Sequence, residues 1–230
     1  MIKKIIFIHF AFLVSLFIFS SSGYCFNIEH LDDDDLMYAQ VENIFFVAES
    51  RIGDRGGFAQ WEIILGPEMA NFNWQNGLEV DFTLTYDRSA DLVIYQVAYN
   101  ELRHSFSMYM SNLTDLYIRT WAKKAGTSII VYDLALDGTL LGDIASAIGP
   151  YMLDILHLMD ANLEDGFVLT GKQKLTWGST VPSGFDTLSA QFFGGGNIAD
   201  TVPEPATMYM LGISIVGLFS FVRLKRKYNR

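Results

Sequence analysis

The chain has 230 residues, half of them hydrophobic and 14% aromatic, with a formal net charge of −10. Seven of the sixteen basic residues sit at the two ends, so residues 26–202 hold 25 acidic against 9 basic side chains (9 − 25 = −16). A body this acidic argues against nucleic acid or anionic lipid as partner, since both need clustered Lys and Arg. The single cysteine, Cys25, excludes an internal disulfide.

Residues 1–25 read as a secretory signal peptide for the Sec translocon. Lys3 and Lys4 open it, an apolar run from 5 to 19 follows, and small residues lead to a cut after Cys25 or after Gly23. Tyr24 is too bulky for the position before a lipidated cysteine, which disfavours a lipoprotein. Residues 26–40 form an acidic leader. The adjacent carboxylates Asp32, Asp33, Asp34 and Asp35 repel one another and favour a hydrated stretch over a calcium loop, whose ligands must converge.

From residue 41 the period becomes two. Residues 41–50 and 58–65 are rich in β-formers and stop at glycines, and Asn76-Gly77 marks a turn. Residues 79–86 alternate, with Val80, Phe82, Leu84 and Tyr86 on one side and Glu79, Asp81, Thr83 and Thr85 on the other. That pattern predicts a half-buried strand, with 92–99 returning as its hairpin partner. Strands are also predicted over 115–121, 128–136, 151–159, 166–177 and 188–193, and a short helical turn over 140–148. The pattern as a whole predicts an all-β fold, an antiparallel, jelly-roll-like β-sandwich over 41–193. Gly194-Gly195-Gly196 then opens a loose linker, 194–201.

Segments within this body, among them Glu79-Val80-Asp81-Phe82-Thr83-Leu84 and Asp115-Leu116-Tyr117-Ile118-Arg119-Thr120, resemble the choice-of-anchor domains over roughly 71–193. The resemblance implies an extracellular β-sandwich ahead of a sorting signal and brings no functional residues.

Residues 202–230 have three parts in order. Val202-Pro203-Glu204-Pro205 is stiff, because its prolines remove two amide donors and hold the chain extended. Residues 208–222 carry no charge and as a helix span roughly 22 Å, so a transmembrane helix over about 206–222 needs the flanking residues to cross. Arg223, Lys225, Arg226, Lys227 and Arg230 form a basic cluster that stays cytoplasmic and leaves the body outside. On residues alone this is a C-terminal membrane anchor. The order of the three parts resembles the PEP-CTERM sorting signal. That resemblance implies recognition and cutting by an exosortase, then release or transfer to the cell surface or extracellular matrix.

Catalytic patterns are thin. There is no nucleophile elbow, and His30, His104 and His157 are the only imidazoles of the body. No His or Cys pair has zinc-ligand spacing, so no metal site is predicted. Asp87 and Asp91 flank a turn, where calcium binding and turn capping remain the two readings. Asp81, Asp87, Asp91 and Asp115 are candidates for paired carboxylates in glycoside cleavage. Trp61, Trp74, Trp121 and Trp177 offer flat rings for a polysaccharide, with core anchoring as the rival role. Asn112-Leu113-Thr114 matches a glycosylation acceptor. The combined expectation is a structural or adhesive surface protein without catalytic activity or cofactor. The alternatives are a secreted carbohydrate-binding module and a surface glycoside hydrolase.

Overall fold

The computed structural model describes residues 27–32, 43–53, 61–106, 113–159, 163–184 and 187–196. The signal peptide, Asp33 to Asp35, Asn112 and everything from 197 onward lie outside the described residues. So do Val202-Pro203-Glu204-Pro205, the apolar segment and the basic cluster. Among the described residues all regular structure is strand, in two antiparallel sheets, and no helix is long and apolar enough to cross a membrane.

The first four strands are β1 (Asn27–Leu31), β2 (Asn43–Ile52), β3 (Trp61–Leu65) and β4 (Glu68–Asn71). They are followed by β5 (Glu79–Asp87), β6 (Leu92–Val97), β7 (Asn100–Ser105), β8 (Asp115–Ala122) and β9 (Ser128–Leu136). The chain closes with β10 (Thr139–Leu140), β11 (Ala145–Ile148), β12 (Met152–Met159), β13 (Phe167–Thr176) and β14 (Leu188–Gly196). The first sheet runs β1-β12-β8-β14-β2-β3-β4. The second runs β10-β9-β13-β5-β6-β7, with β11 also on β9.

The predicted alternation in β5 is what the strand does: Val80, Phe82, Leu84 and Tyr86 are buried, and β6 pairs beside it from Phe82↔Val97 to Asp87↔Leu92. Asp137 and Gly138, both at positive φ, make the two-residue turn between β9 and β10 that such a dipeptide favours. The inner faces of the two sheets share one hydrophobic cluster. Phe192 of the first sheet meets Phe82 and Tyr95 of the second at ring-centroid distances of 4.7 and 5.6 Å. The Ser50 and Tyr95 hydroxyls share a hydrogen bond of 2.7 Å across the same gap. Burial first, with the Glu49 charge adding to it, pushes the Tyr95 phenol well above its ordinary range, so it stays neutral.

Four expectations give way here. Residues 140–148 are not helical: Ala145 and Ala147 are buried, and β11 pairs with β9 from Ala145↔Val131 to Ile148↔Ser128. Sheet pairing overrides the helix preference of a short alanine-containing run. Residues 27–31 of the acidic leader are strand β1, paired with β12, with Leu31 buried. β4 and β7 escape the sequence pattern because they are edge strands: β4 buries none of its residues and β7 buries only Leu102. Finally, Gly194 to Gly196 are not linker but the end of β14, paired with β2 and β8.

Gly194 has a packing reason to lack a side chain, since a Cβ there would run into the buried Phe46 ring. Gly178 has only the Gly126 carbonyl oxygen, 4.0 Å from where a Cβ would stand. Gly194→Ala is therefore predicted to cost on the order of 1–3 kcal/mol through overpacking, and Gly178→Ala close to nothing, by urea denaturation. Equal, negligible effects of the two substitutions would restore the linker.

Candidate functional site

The chemically dense region is the outward face of the first sheet. A sheet with one dry face normally turns polar, solvated side chains outward. Here β8 and β14 are buried almost throughout on both faces. The outward residues are aligned by register into three rows. One row is Glu29, His157, Tyr117, Phe193 and Val47. The next is Leu31, Ile155, Arg119, Gln191, Glu49 and Ile64. The third is Leu153, Trp121, Ser189, Arg51 and Glu62.

Directly opposed residues on one face of a sheet are the ones close enough to interact, and here they do. Arg119 donates through one guanidinium nitrogen to Gln191 Oε1 at 2.8 Å. Gln191 passes its amide hydrogen to Glu49 Oε1 at 2.9 Å. Arg51 lies 3.7 Å from Glu49 and bonds its cross-strand partner Glu62. Arg119 also stands over the ring of Trp121, 5.2 Å from its centroid. A continuous polar chain thus crosses four strands, and hydrogen bonding of this kind is what burial of polar groups requires.

In the first row His157, 3% exposed, places Nδ1 3.0 Å from Glu29 Oε1 and Nε2 2.8 Å from Asp115 Oδ1. Its ring stacks on Tyr117 at 4.0 Å with an interplanar angle of 12°. Burial first, and then the Asp115 and Glu29 charges, push the Tyr117 phenol far up, so it stays neutral beneath the imidazole. Asp115 takes a further hydrogen bond of 2.5 Å from the Thr114 hydroxyl. A small apolar cluster joins Tyr117 and Phe193 of this row to Leu31 and Ile155 of the next.

The residues singled out from sequence are distributed differently. Trp74 and Trp177 are 2% and 8% exposed in the main core, where they have no ring face to offer. Trp121 is half-buried on the outward face of β8, and the Trp61 side chain is outside what is described. Asp115 lies on the first sheet, committed to His157, while Asp81 and Asp87 lie on the second. Asp87 caps its own turn, accepting from the Ser89 amide and hydroxyl and from the Ala90 amide. Those bonds, the Ser89 hydroxyl first, hold its carboxyl below the usual range. His104 stands edge-on to Phe106 and 3.7 Å from Glu68. Among the described residues no group of three His, Cys, Asp or Glu is arranged to hold a metal ion.

Sequence reasoning gave no role to Arg51, Glu62, Arg119 and Gln191, and named His157 only as one of the body's imidazoles, because a strand's outer residues read as solvated. The available signal was the mixture of aromatic and charged residues at the outward positions of β8: Tyr117, Arg119 and Trp121.

Arg51→Ala would leave Glu49 and Glu62 buried without their cation and is predicted to cost about 3–5 kcal/mol, measured by chemical denaturation. A loss below about 1 kcal/mol, the worth of an exposed pair, would show that this face is open to water. No family model and no curated protein matches this chain, so its chemistry is read from its own residues.

Proposed function

We propose that this chain is an exported structural or adhesive protein without catalytic activity, carried to the cell surface or extracellular matrix by its C-terminal segment. The observation that carries this reading is the fixed order of Pro203-Glu204-Pro205, an uncharged run and a basic cluster, behind a body of two antiparallel sheets. On this reading the Sec translocon exports the chain and a helix over about 206–222 holds it briefly in the inner membrane. An exosortase then acts near Pro203-Glu204-Pro205. The strand content fits a jelly-roll-like sandwich of the choice-of-anchor kind. The clustered acids and histidines of the first sheet are spent on one another, which suits a load-bearing scaffold better than a reaction centre.

A carbohydrate-binding module is the second reading. It is favoured by Trp121, partly exposed on a sheet face and flanked by Arg119, with Gln191 across the strand. Partly exposed rings beside hydrogen-bonding groups suit the apolar faces and hydroxyls of an extracellular polysaccharide.

Intact mass of the mature protein separates anchor from sorting signal. With an exosortase present, the tail from near Pro203 onward is predicted to be missing; without one, it remains. A tail retained in both cases sinks the sorting reading. For the second reading, glycan-array binding is predicted to vanish in Trp121→Ala, and binding that survives the change removes Trp121 from any sugar site.

A further inference from the structure

We propose that β1 is a releasable edge strand, locked onto the body by two imidazoles that each bridge two carboxylates, and that the lock at His30 holds it in mildly acidic solution and lets it go as the pH rises. β1 is five residues long and among the described residues pairs on one side only, with β12, from Asn27↔Met159 to Leu31↔Ile155. Its apolar hold is slight: Leu31 joins the small outward cluster and Ile28 packs on the main core. Short edge strands with so few buried side chains lie at the low end of local stability. Polar contacts therefore decide whether this one stays.

Those contacts are reciprocal. From β1, His30 places Nδ1 2.8 Å from Asp154 Oδ1 on β12 and Nε2 3.1 Å from Asp143 Oδ1 just before β11. From β12, His157 places its two ring nitrogens against Glu29 of β1 and Asp115 of β8. His30 and Glu29 are neighbours in a strand and so point to opposite faces of the sheet. One lock therefore lies on each face. The acceptors are themselves pinned: the other Asp154 oxygen receives the Ser146 amide of β11 at 2.7 Å, and Asp143 receives the Ile144 amide at 2.8 Å. Among the described residues the titratable groups facing His30 are Asp143 and Asp154; those facing His157 are Glu29, Asp115 and the Tyr117 phenol.

A neutral imidazole has one N–H, and only the cation has two. A ring between two carboxylates satisfies both only when doubly protonated. On losing a proton it keeps one partner and presents a lone pair to the other.

The direction of the pH effect follows from the shifts at His30 and Asp143. The His30 pKa is raised above its ordinary 6.5, chiefly by the hydrogen bond to Asp154 and against desolvation. A raised histidine contributes stability that is complete below 6.5 and lost as the pH climbs through the folded value. The Asp143 pKa is lowered from 3.8, first by the hydrogen bond from His30. Its contribution is present above 3.8 and lost as the pH falls through the folded value. The lock at His30 is thus whole between these limits and opens first on the alkaline side.

Hydrogen exchange on the full-length chain tests this, with the intrinsic pH dependence of exchange divided out. Protection of the β1 amides, relative to β13, is expected to fall on the order of tenfold between about pH 6 and about pH 9. His30→Gln, which keeps a single neutral donor, is expected to lose most of that dependence. Protection of β1 that does not change with pH, or a dependence undiminished in the His30→Gln/His157→Gln double variant, overturns the proposal. Should the variants fail to fold, NMR titration of the unmodified protein decides. The His30 ring is expected to titrate above 6.5, and a midpoint at or below that value overturns the lock.

Discussion

The register between β8 and β14 sets the character of this protein. Leu116, Ile118 and Ala122 lie on the inner face with Phe192 and Leu188, while Tyr117, Arg119 and Trp121 lie outward with Phe193, Gln191 and Ser189. A slip of one residue would exchange the two sets, placing Arg119 and Gln191 between the sheets and Phe192 outside. Both alternatives are expensive, because a guanidinium stripped of partners and an aromatic ring given to water each cost several kcal/mol. The same register that seals the core therefore writes the polar rows on the other face. It also brings β12, and through it β1, to the positions where His157 finds both its carboxylates.

Two kinds of charge pairing coexist in this acid-rich body. On the second sheet, Lys172 with Asp133 and Lys174 with Glu79 are exposed pairs at 3.1 and 3.8 Å, where water and salt screen most of the attraction. On the first sheet, Glu49, Glu62, Arg119 and His157 are all less than a tenth exposed. There the network adds no large net stability over an apolar face of the same shape. Its consequence is specificity, because removing any one member strands another. A chain with few cations to spare places Arg51 and Arg119 where their absence would be felt most.

Much of the fold was readable from residues alone, and the reasons for success and failure are physical. β5, β6, β9 and β13 announce themselves because one face is dry and the other wet, and that contrast is what a period of two records. β4, β7 and β10 sit at edges with little to bury, so their sequences carry no alternation. β11 hides behind alanines, and the end of β14 hides behind glycines whose role is to clear space for Phe46. The outward face of the first sheet was invisible for a deeper reason. Its polar residues look solvated until the register shows each one opposite its partner, and register is a property of pairs of strands. Asp87 illustrates the same limit in small: from sequence it was a calcium ligand or a cap, and the three hydrogen bonds it accepts within its turn make it a cap.

The packing of the two sheets through Phe192 is open to direct measurement by a double-mutant cycle of Phe82→Ala and Phe192→Ala in chemical denaturation. Rings 4.7 Å apart across the sheet interface predict that the double variant loses about 0.5–1.5 kcal/mol less than the sum of the single losses. Strictly additive losses would mean that the rings do not meet, and that the register of β8 and β14 and the rows built on it are not those described.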